Sequence, residues 1–159
     1  MAANNETGAI QPVVELGENL HLINEKRSNP IKLLVDASQA IGKINVNVLK
    51  YKCDYCVIAG HKFYGPRIGA LWARDPASIE PFLAGGSQEN GMRPGTENTA
   101  MIAGLGMAAE IANFNLDRNS EIMRITRDKL KDNLLSLSNE VLWLSGNIYS
   151  KINQILNIK

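Results

Sequence analysis

Two short apolar runs, each ending in chemistry-bearing residues, constrain this chain more than any other feature. Ile31-Lys32-Leu33-Leu34-Val35 stops at Asp36-Ala37-Ser38-Gln39, and Tyr55-Cys56-Val57-Ile58-Ala59 stops at Gly60-His61-Lys62, with a Gly65-Pro66 turn beyond. Runs of this length bounded by turn residues suit buried strands, and in an all-parallel arrangement both faces of the sheet are covered. If a right-handed crossover joins them as parallel strands, Asp36 and Lys62 emerge on the same edge of one sheet. That carboxyl edge is where open α/β sheets place their ligands.

The rest of the chain alternates in the same way. From Pro12 to Lys26, apolar Val13, Leu16, Leu20 and Ile23 fall at helical spacing, and Pro12 suits a first turn. Ile68-Gly69-Ala70-Leu71-Trp72-Ala73 reads as a third strand, broken by Arg74-Asp75-Pro76. The small apolar residues from Thr99 to Ala112, with Gly104 and Gly106 among them, predict a helix packed closely against sheet or partner. Ser120 to Leu137 carries Ile122, Ile125, Leu130, Leu134 and Leu137 on one helical face. We therefore expect a large domain over 1–118, a linking helix over 119–138 and the start of a small C-terminal domain over 139–159, with Val141-Leu142-Trp143-Leu144 and Ile155-Leu156-Asn157-Ile158 as its first pieces.

Composition narrows the function classes. The 159 residues carry a formal net charge of +1, and the basic residues are scattered among acids without aromatic interleaving, so no nucleic-acid partner is expected. No apolar stretch approaches the ~20 residues of a membrane span. The amino terminus lacks a secretory layout, which predicts a cytosolic chain without membrane attachment. Cys53 and Cys56 form a lone Cys-x-x-Cys inside the approach to Lys62, which reads as core rather than as a metal site. His21, between Leu20 and Leu22, reads as packing or surface.

An amine at a sheet edge becomes a carrier of a carbonyl cofactor when its neighbours favour it, and a carboxylate opposite a pyridine nitrogen keeps that ring protonated. Asp36 and Lys62 together thus point to pyridoxal 5'-phosphate. Taken singly, an Asp after a strand is more often a helix N-cap and a lysine more often a solubilising surface residue. The loop Gly85-Gly86-Ser87-Gln88-Glu89-Asn90-Gly91 with Arg93-Pro94-Gly95-Thr96 is polar and glycine-rich. It lacks the GxxxxGK[ST] and GxGxxG patterns, which argues against a nucleotide.

Four strings occur in one order: Ala3-Asn4-Asn5-Glu6-Thr7-Gly8, Val35-Asp36-Ala37-Ser38-Gln39-Ala40-Ile41-Gly42-Lys43, Gly60-His61-Lys62-Phe63-Tyr64-Gly65-Pro66, and Arg93-Pro94-Gly95-Thr96-Glu97-Asn98. Together they resemble the NifS-like cysteine desulfurase and selenocysteine lyase family of pyridoxal-phosphate enzymes. The resemblance implies an α/β chain: an incomplete large domain of the fold-type I transferases, with a mostly parallel sheet and flanking helices. It makes Lys62 the lysine that bears the cofactor and Asp36 the partner of the ring nitrogen. Asn5 and Gln39 match residues that hydrogen-bond the phenolic side of the ring, and His61 one that helps hold the phosphate. Thr96 matches a threonine that reaches the phosphate of the other subunit's cofactor, which implies a homodimer. Ala59 stands where many desulfurases have a phosphate-binding serine, and neither Cys53 nor Cys56 matches the family's catalytic cysteine.

The turn Gly65-Pro66-Arg67-Ile68-Gly69 is one residue shorter than the form common in cysteine desulfurases and resembles the selenocysteine lyase version. The expected substrate is accordingly L-selenocysteine, with alanine and selenide or selenium as products. The alternatives are a cysteine desulfurase acting on L-cysteine, and a non-catalytic piece that dimerises with a full-length enzyme. Family members carry further large-domain strands, a ring-stacking histidine, a mobile-loop cysteine and a substrate-binding arginine that have no counterpart here. The chain is thus expected to be a fragment that is inactive alone and exposes apolar sheet surface.

Overall fold

The computed structural model describes residues 1–137. In chain order it contains α1 (Val13–Asn24), β1 (Leu34–Asp36), α2 (Val48–Tyr51), β2 (Tyr55–Ala59), β3 (Gly69–Ala73), α3 (Thr99–Phe114) and α4 (Leu116–Leu137), with 3-10 turns at Gly60–Phe63, Pro76–Ser78 and Gln88–Gly91. The stretch expected to begin a small domain, 139–159, lies outside the described residues.

The sheet is mixed, in the order β1-β2-β3. β1 runs parallel to β2, with Val35 opposite Cys56 and Asp36 opposite Val57. β3 returns antiparallel along the other side of β2, from Gly69 opposite Ala59 to Ala73 opposite Tyr55. The expected parallel pair is present, while the third strand turns straight back, as the short Tyr64–Ile68 connection requires.

β1 begins later than the sequence reading placed it, at Leu34 rather than Ile31. Side chains hold the backbone of the preceding residues instead of a neighbouring strand. Asn24 brackets Ile31, donating from Nδ2 to its carbonyl and accepting from its N–H at Oδ1, 2.9 and 2.8 Å. Asp54 Oδ2 accepts from Leu33 N–H at 2.8 Å.

The core is built of small residues. Ala2, Ala3, Val13, Val35, Ala37, Ala40, Tyr51, Cys53 and Cys56 form one buried cluster. Both cysteines are free thiols within it, as expected of core residues. Burial pushes the Cys53 thiol up and that of Cys56 to about 11. His21 lies on the surface beside Glu25.

The buried face of α1 differs from the periodicity reading. Val13 and Gly17 are buried, whereas Leu16 and Ile23, expected to face inward, are 51% and 50% exposed. Close approach to α2 decides the orientation: a Cβ on residue 17 would overlap the Tyr51 carbonyl, so the smallest residue must occupy the contact.

α3 packs on the turn that carries Lys62. Ala108 lies against Gly65 and Gly104 against Pro66, whereas a Cβ on Gly106 would meet no atom of the described residues within 4 Å. Large apolar side chains elsewhere, among them Leu34 on β1, Leu71 on β3 and Met107 on α3, are exposed, as anticipated for a sheet this narrow. No helix among the described residues is long and apolar enough to cross a membrane.

Candidate active site

The carboxyl ends of β1 and β2 are adjacent, so the residues that follow each strand share one edge. β1 closes on Asp36, and the backbone turns over Ala37, whose N–H donates to Val57 O at 3.0 Å. Two successive turns follow, in which Ala37 O accepts from Ala40 and Ile41 and Ala40 O accepts from Lys43 and Ile44. The Asp36 carboxylate is half-buried, and its Oδ1 accepts from Ser38 N–H at 2.8 Å. Burial works to raise its pKa, but the Ser38 hydrogen bonds and the charge of the chain's amino group outweigh it and leave the pKa lowered. Asp36 therefore caps its own turn, the ordinary role for such a residue, and is also a poised anion at the sheet edge.

Beyond β2 the chain closes a single 3-10 turn, Gly60–Phe63. Gly60 N–H donates to Ile68 O at 2.8 Å and Gly65 N–H to Gly60 O at 3.0 Å, which tie both ends of the connection together. A Cβ on Gly60 would stand 2.8 to 2.9 Å from the Pro66 and Ile68 carbonyls and from Leu105, so only glycine fits. Phe63 is buried beneath the turn while His61, Lys62 and Tyr64 project outward. Tyr64 adopts φ +66 in the left-handed region and is 92% exposed. Backbone strain in a bulky exposed residue is sustained by its surroundings, here the hydrogen bonds that close the turn on either side.

The amino-terminal loop joins this edge from the other side. Ala2 N–H donates to Asp36 O at 2.7 Å, and Asn4 Oδ1 gathers Glu6 N, Thr7 N and the Thr7 hydroxyl at 2.9, 2.8 and 3.1 Å. This leaves Asn5 exposed at the tip of the turn. Gln39 is half-buried in the turn after Asp36.

Five of the six candidate residues, Asn5, Asp36, Gln39, His61 and Lys62, thus follow the sheet edge or the loop bonded to it. Thr96 stands apart. It is exposed in the loop before α3, where Gly95 N–H donates to Gln88 Oε1 at 3.1 Å, Arg93 binds the Pro94 carbonyl and Asn98 caps the helix through Met101 N–H. Among the described residues no hydrogen bond links Thr96 to the other five. Its loop holds consecutive left-handed residues at Glu89, Asn90 and Gly91.

Reasoning from sequence gave Lys43 no role of its own. The structure buries it, 4% exposed, with Nζ donating to the Lys62 carbonyl at 3.0 Å. Its position between Gly42 and Ile44, inside an apolar turn, was the available signal. A cavity of about 270 Å³ lies between this turn, Lys62, Tyr64 and the first turns of α4. Among the described residues no three His, Cys, Asp or Glu side chains cluster as metal ligands would.

Asp36 at the end of β1 and Lys62 in the turn after β2, with polar side chains from the flanking loops, thus stand at the carboxyl edge where open α/β sheets place their ligands. The chain belongs to the class-V aminotransferase family, whose model matches residues 1–158. It is 47% identical to the selenocysteine lyase of Homo sapiens and 49% identical to that of Xenopus tropicalis, each over 84% of the chain. A cysteine desulfurase of Archaeoglobus fulgidus is 37% identical over 99% of it. The chain spans 32%, 33% and 39% of these relatives' own lengths. Among solved structures, a NifS-like protein from Rickettsia africae superimposes with a TM-score of 0.85 at 30% identity, covering 96% of this chain and 40% of that one. The fold-type I α/β architecture is thereby established, and pyridoxal phosphate is the cofactor of this family.

Proposed function

We propose that this chain supplies the cofactor-holding residues of a pyridoxal-phosphate-dependent lyase that converts L-selenocysteine to L-alanine with release of selenium. The observation that carries the reading is that Asp36 ends β1 and the turn bearing Lys62 follows its parallel neighbour β2, so both residues stand at one carboxyl edge of the sheet. The residues present fit the group. Asp36 offers a carboxylate held in its charged form to a ring nitrogen, Lys62 an exposed amine to an aldehyde, and His61 an imidazole to a phosphate. Asn5 and Gln39 offer amide donors to the phenolic oxygen. Ala59 brings no hydroxyl, so the phosphate relies on His61, on backbone N–H groups and, in a homodimer, on Thr96 of the second copy.

Bound in this way, pyridoxal phosphate serves as an electron sink for the substrate's α-carbon, which permits loss of the β-substituent. Lys62 would hold the cofactor through its amine, and that amine, when free, would move a proton at the substrate's α-carbon. Asp36 would pair with the ring nitrogen and favour its charged form, because the hydrogen bond from Ser38 N–H holds the carboxylate and favours its anion. In this reading the protein works as a cytosolic homodimer.

Identities of 47% and 49% to selenocysteine lyases, against 37% to the archaeal desulfurase, favour selenium over sulfur. One observation favours the second reading, a cysteine desulfurase: a protein solved in complex with cysteine, SspA, matches 69% of this chain at 38% identity with a TM-score of 0.61. Steady-state kinetics of a full-length protein carrying this sequence, with each amino acid, separates the two. The proposal predicts a kcat/KM for L-selenocysteine about 100-fold or more above that for L-cysteine, at the upper end of what pocket size alone discriminates. Comparable values would assign it to the desulfurases.

A further inference from the structure

Among the described residues Lys43 is the only charged side chain that is buried. No carboxylate among them forms an ion pair with it. Burying an ammonium without a counter-ion is costly, and such groups are poor investments in stability. Among the described residues its hydrogen-bond acceptor is a backbone carbonyl distant in sequence, that of Lys62, at 3.0 Å.

The carbonyl matters because of where it lies. Lys62 is the penultimate residue of a one-turn 3-10 helix, and carbonyls at such an end have no partner within the turn. The N–H groups of Tyr64 and Gly65 are both directed to Gly60 O, which leaves the Lys62 carbonyl to an outside donor. A cation there is favourable, as at the carboxyl end of any helix. Gly42 brings the donor within reach: it adopts φ +75 and sits close to Phe63, where a Cβ would stand 2.7 Å from the Phe63 Cβ. Lys43 and Lys62 also line the same cavity, and the Lys62 charge acts on Lys43 there.

We propose that Lys43 is a positioning residue for Lys62: its buried ammonium holds the Lys62 carbonyl and so fixes the backbone from which the Lys62 amine reaches the cofactor. The inference rests on the reading of Lys62 as the cofactor-bearing lysine. Desolvation, with the Lys62 charge second, lowers the Lys43 pKa to about 8. The groups facing it across the cavity are Lys62 and Tyr64 on the turn, while α4 presents the uncharged Asn119, Ile122 and Met123.

Phe63 is the only phenylalanine that follows a lysine, so ¹³C-carbonyl lysine with ¹⁵N-phenylalanine yields a single correlation, from the Lys62–Phe63 peptide. In the unmodified chain that carbonyl shift should titrate with a midpoint near the Lys43 value of about 8, and in Lys43→Met the titration should disappear. A shift that ignores pH, or one that titrates identically in Lys43→Met, overturns the inference. The second arm is covalent capture of pyridoxal phosphate, fixed by borohydride and located by peptide mapping. Lys43→Met should slow labelling of Lys62 by about tenfold or more without lowering the melting temperature, and Lys43→Arg should restore most of the rate. Labelling of Lys62 in Lys43→Met at the unmodified rate overturns the inference. Should Lys43→Met fail to fold, the carbonyl titration of the unmodified chain decides alone. Label that persists in Lys62→Ala overturns the parent reading instead, so the two failures are distinct.

Discussion

Gly42 packs its bare α-carbon against Phe63, where a Cβ would come within 2.7 Å of the Phe63 Cβ, and this contact seats the turn after β1 on the turn after β2. Residue 42 also adopts φ +75, a region that costs an L side chain about 1–2 kcal/mol. Gly42→Ala combines both penalties. Chemical denaturation should find it destabilised by about 2 kcal/mol or more, with the loss centred on the two turns that bear Asp36 and Lys62.

The contact between Gly17 and Tyr51 makes a paired test. Gly17→Ala forces α1 away from α2 and should cost about 3 kcal/mol or more, because the obstacle is backbone that has no alternative rotamer. Gly106→Ala, in a helix and with no atom of the described residues near the added methyl, should stabilise the chain by about 0.5–1 kcal/mol. Equal effects at the two sites would show that the α1–α2 approach is wrong.

Lys43 should make stability depend on pH in a defined window. Its folded pKa of about 8 lies below the usual lysine value of 10.5, so between these values the unfolded chain binds more protons than the folded one. Stability contributed by this group is therefore absent below about pH 8 and is gained as pH rises to 10.5, by about 3 kcal/mol in all. Lys43→Met removes this dependence. The difference in unfolding free energy between the two proteins, measured from pH 7 to 10.5, should change in favour of the unmodified chain; a constant difference would mean that Lys43 titrates at the same pH in the folded and the unfolded chain.

The placement of the candidate residues at the sheet edge is legible in the sequence because strand ends are marked by residues that cannot continue a strand. Val35-Asp36 and Ala59-Gly60 close apolar runs, so parallel pairing of the two runs puts Asp36 and the turn of Lys62 at one edge of the sheet. Facts set by backbone approach were not legible. Periodicity turned Leu16 and Ile23 inward because it weighs hydrophobicity, whereas the α1–α2 contact selects for size and put Gly17 there. Strand β1 starts at Leu34 because Asn24 and Asp54 occupy the backbone groups before it, and no local propensity encodes a side chain 7 or 21 residues away. The burial of Lys43 is not legible in the sequence, because lysine is so seldom buried.

Asp36→Asn keeps the shape of the side chain and its hydrogen bond from Ser38 N–H while removing the charge. The fold should survive, since the capping acceptor remains. Turnover of a full-length protein carrying the substitution should fall by about tenfold or more, as the ring nitrogen loses its counter-ion. Unchanged turnover would reduce Asp36 to a turn cap.

The most direct measurement for the account as a whole is chemical. Incubation with pyridoxal phosphate, reduction with borohydride and mass spectrometry of the peptides should place one pyridoxyl label on Lys62, and Lys62→Ala should abolish it. Label spread over surface lysines, or undiminished in Lys62→Ala, would contradict the assignment of Lys62 and with it the proposed function.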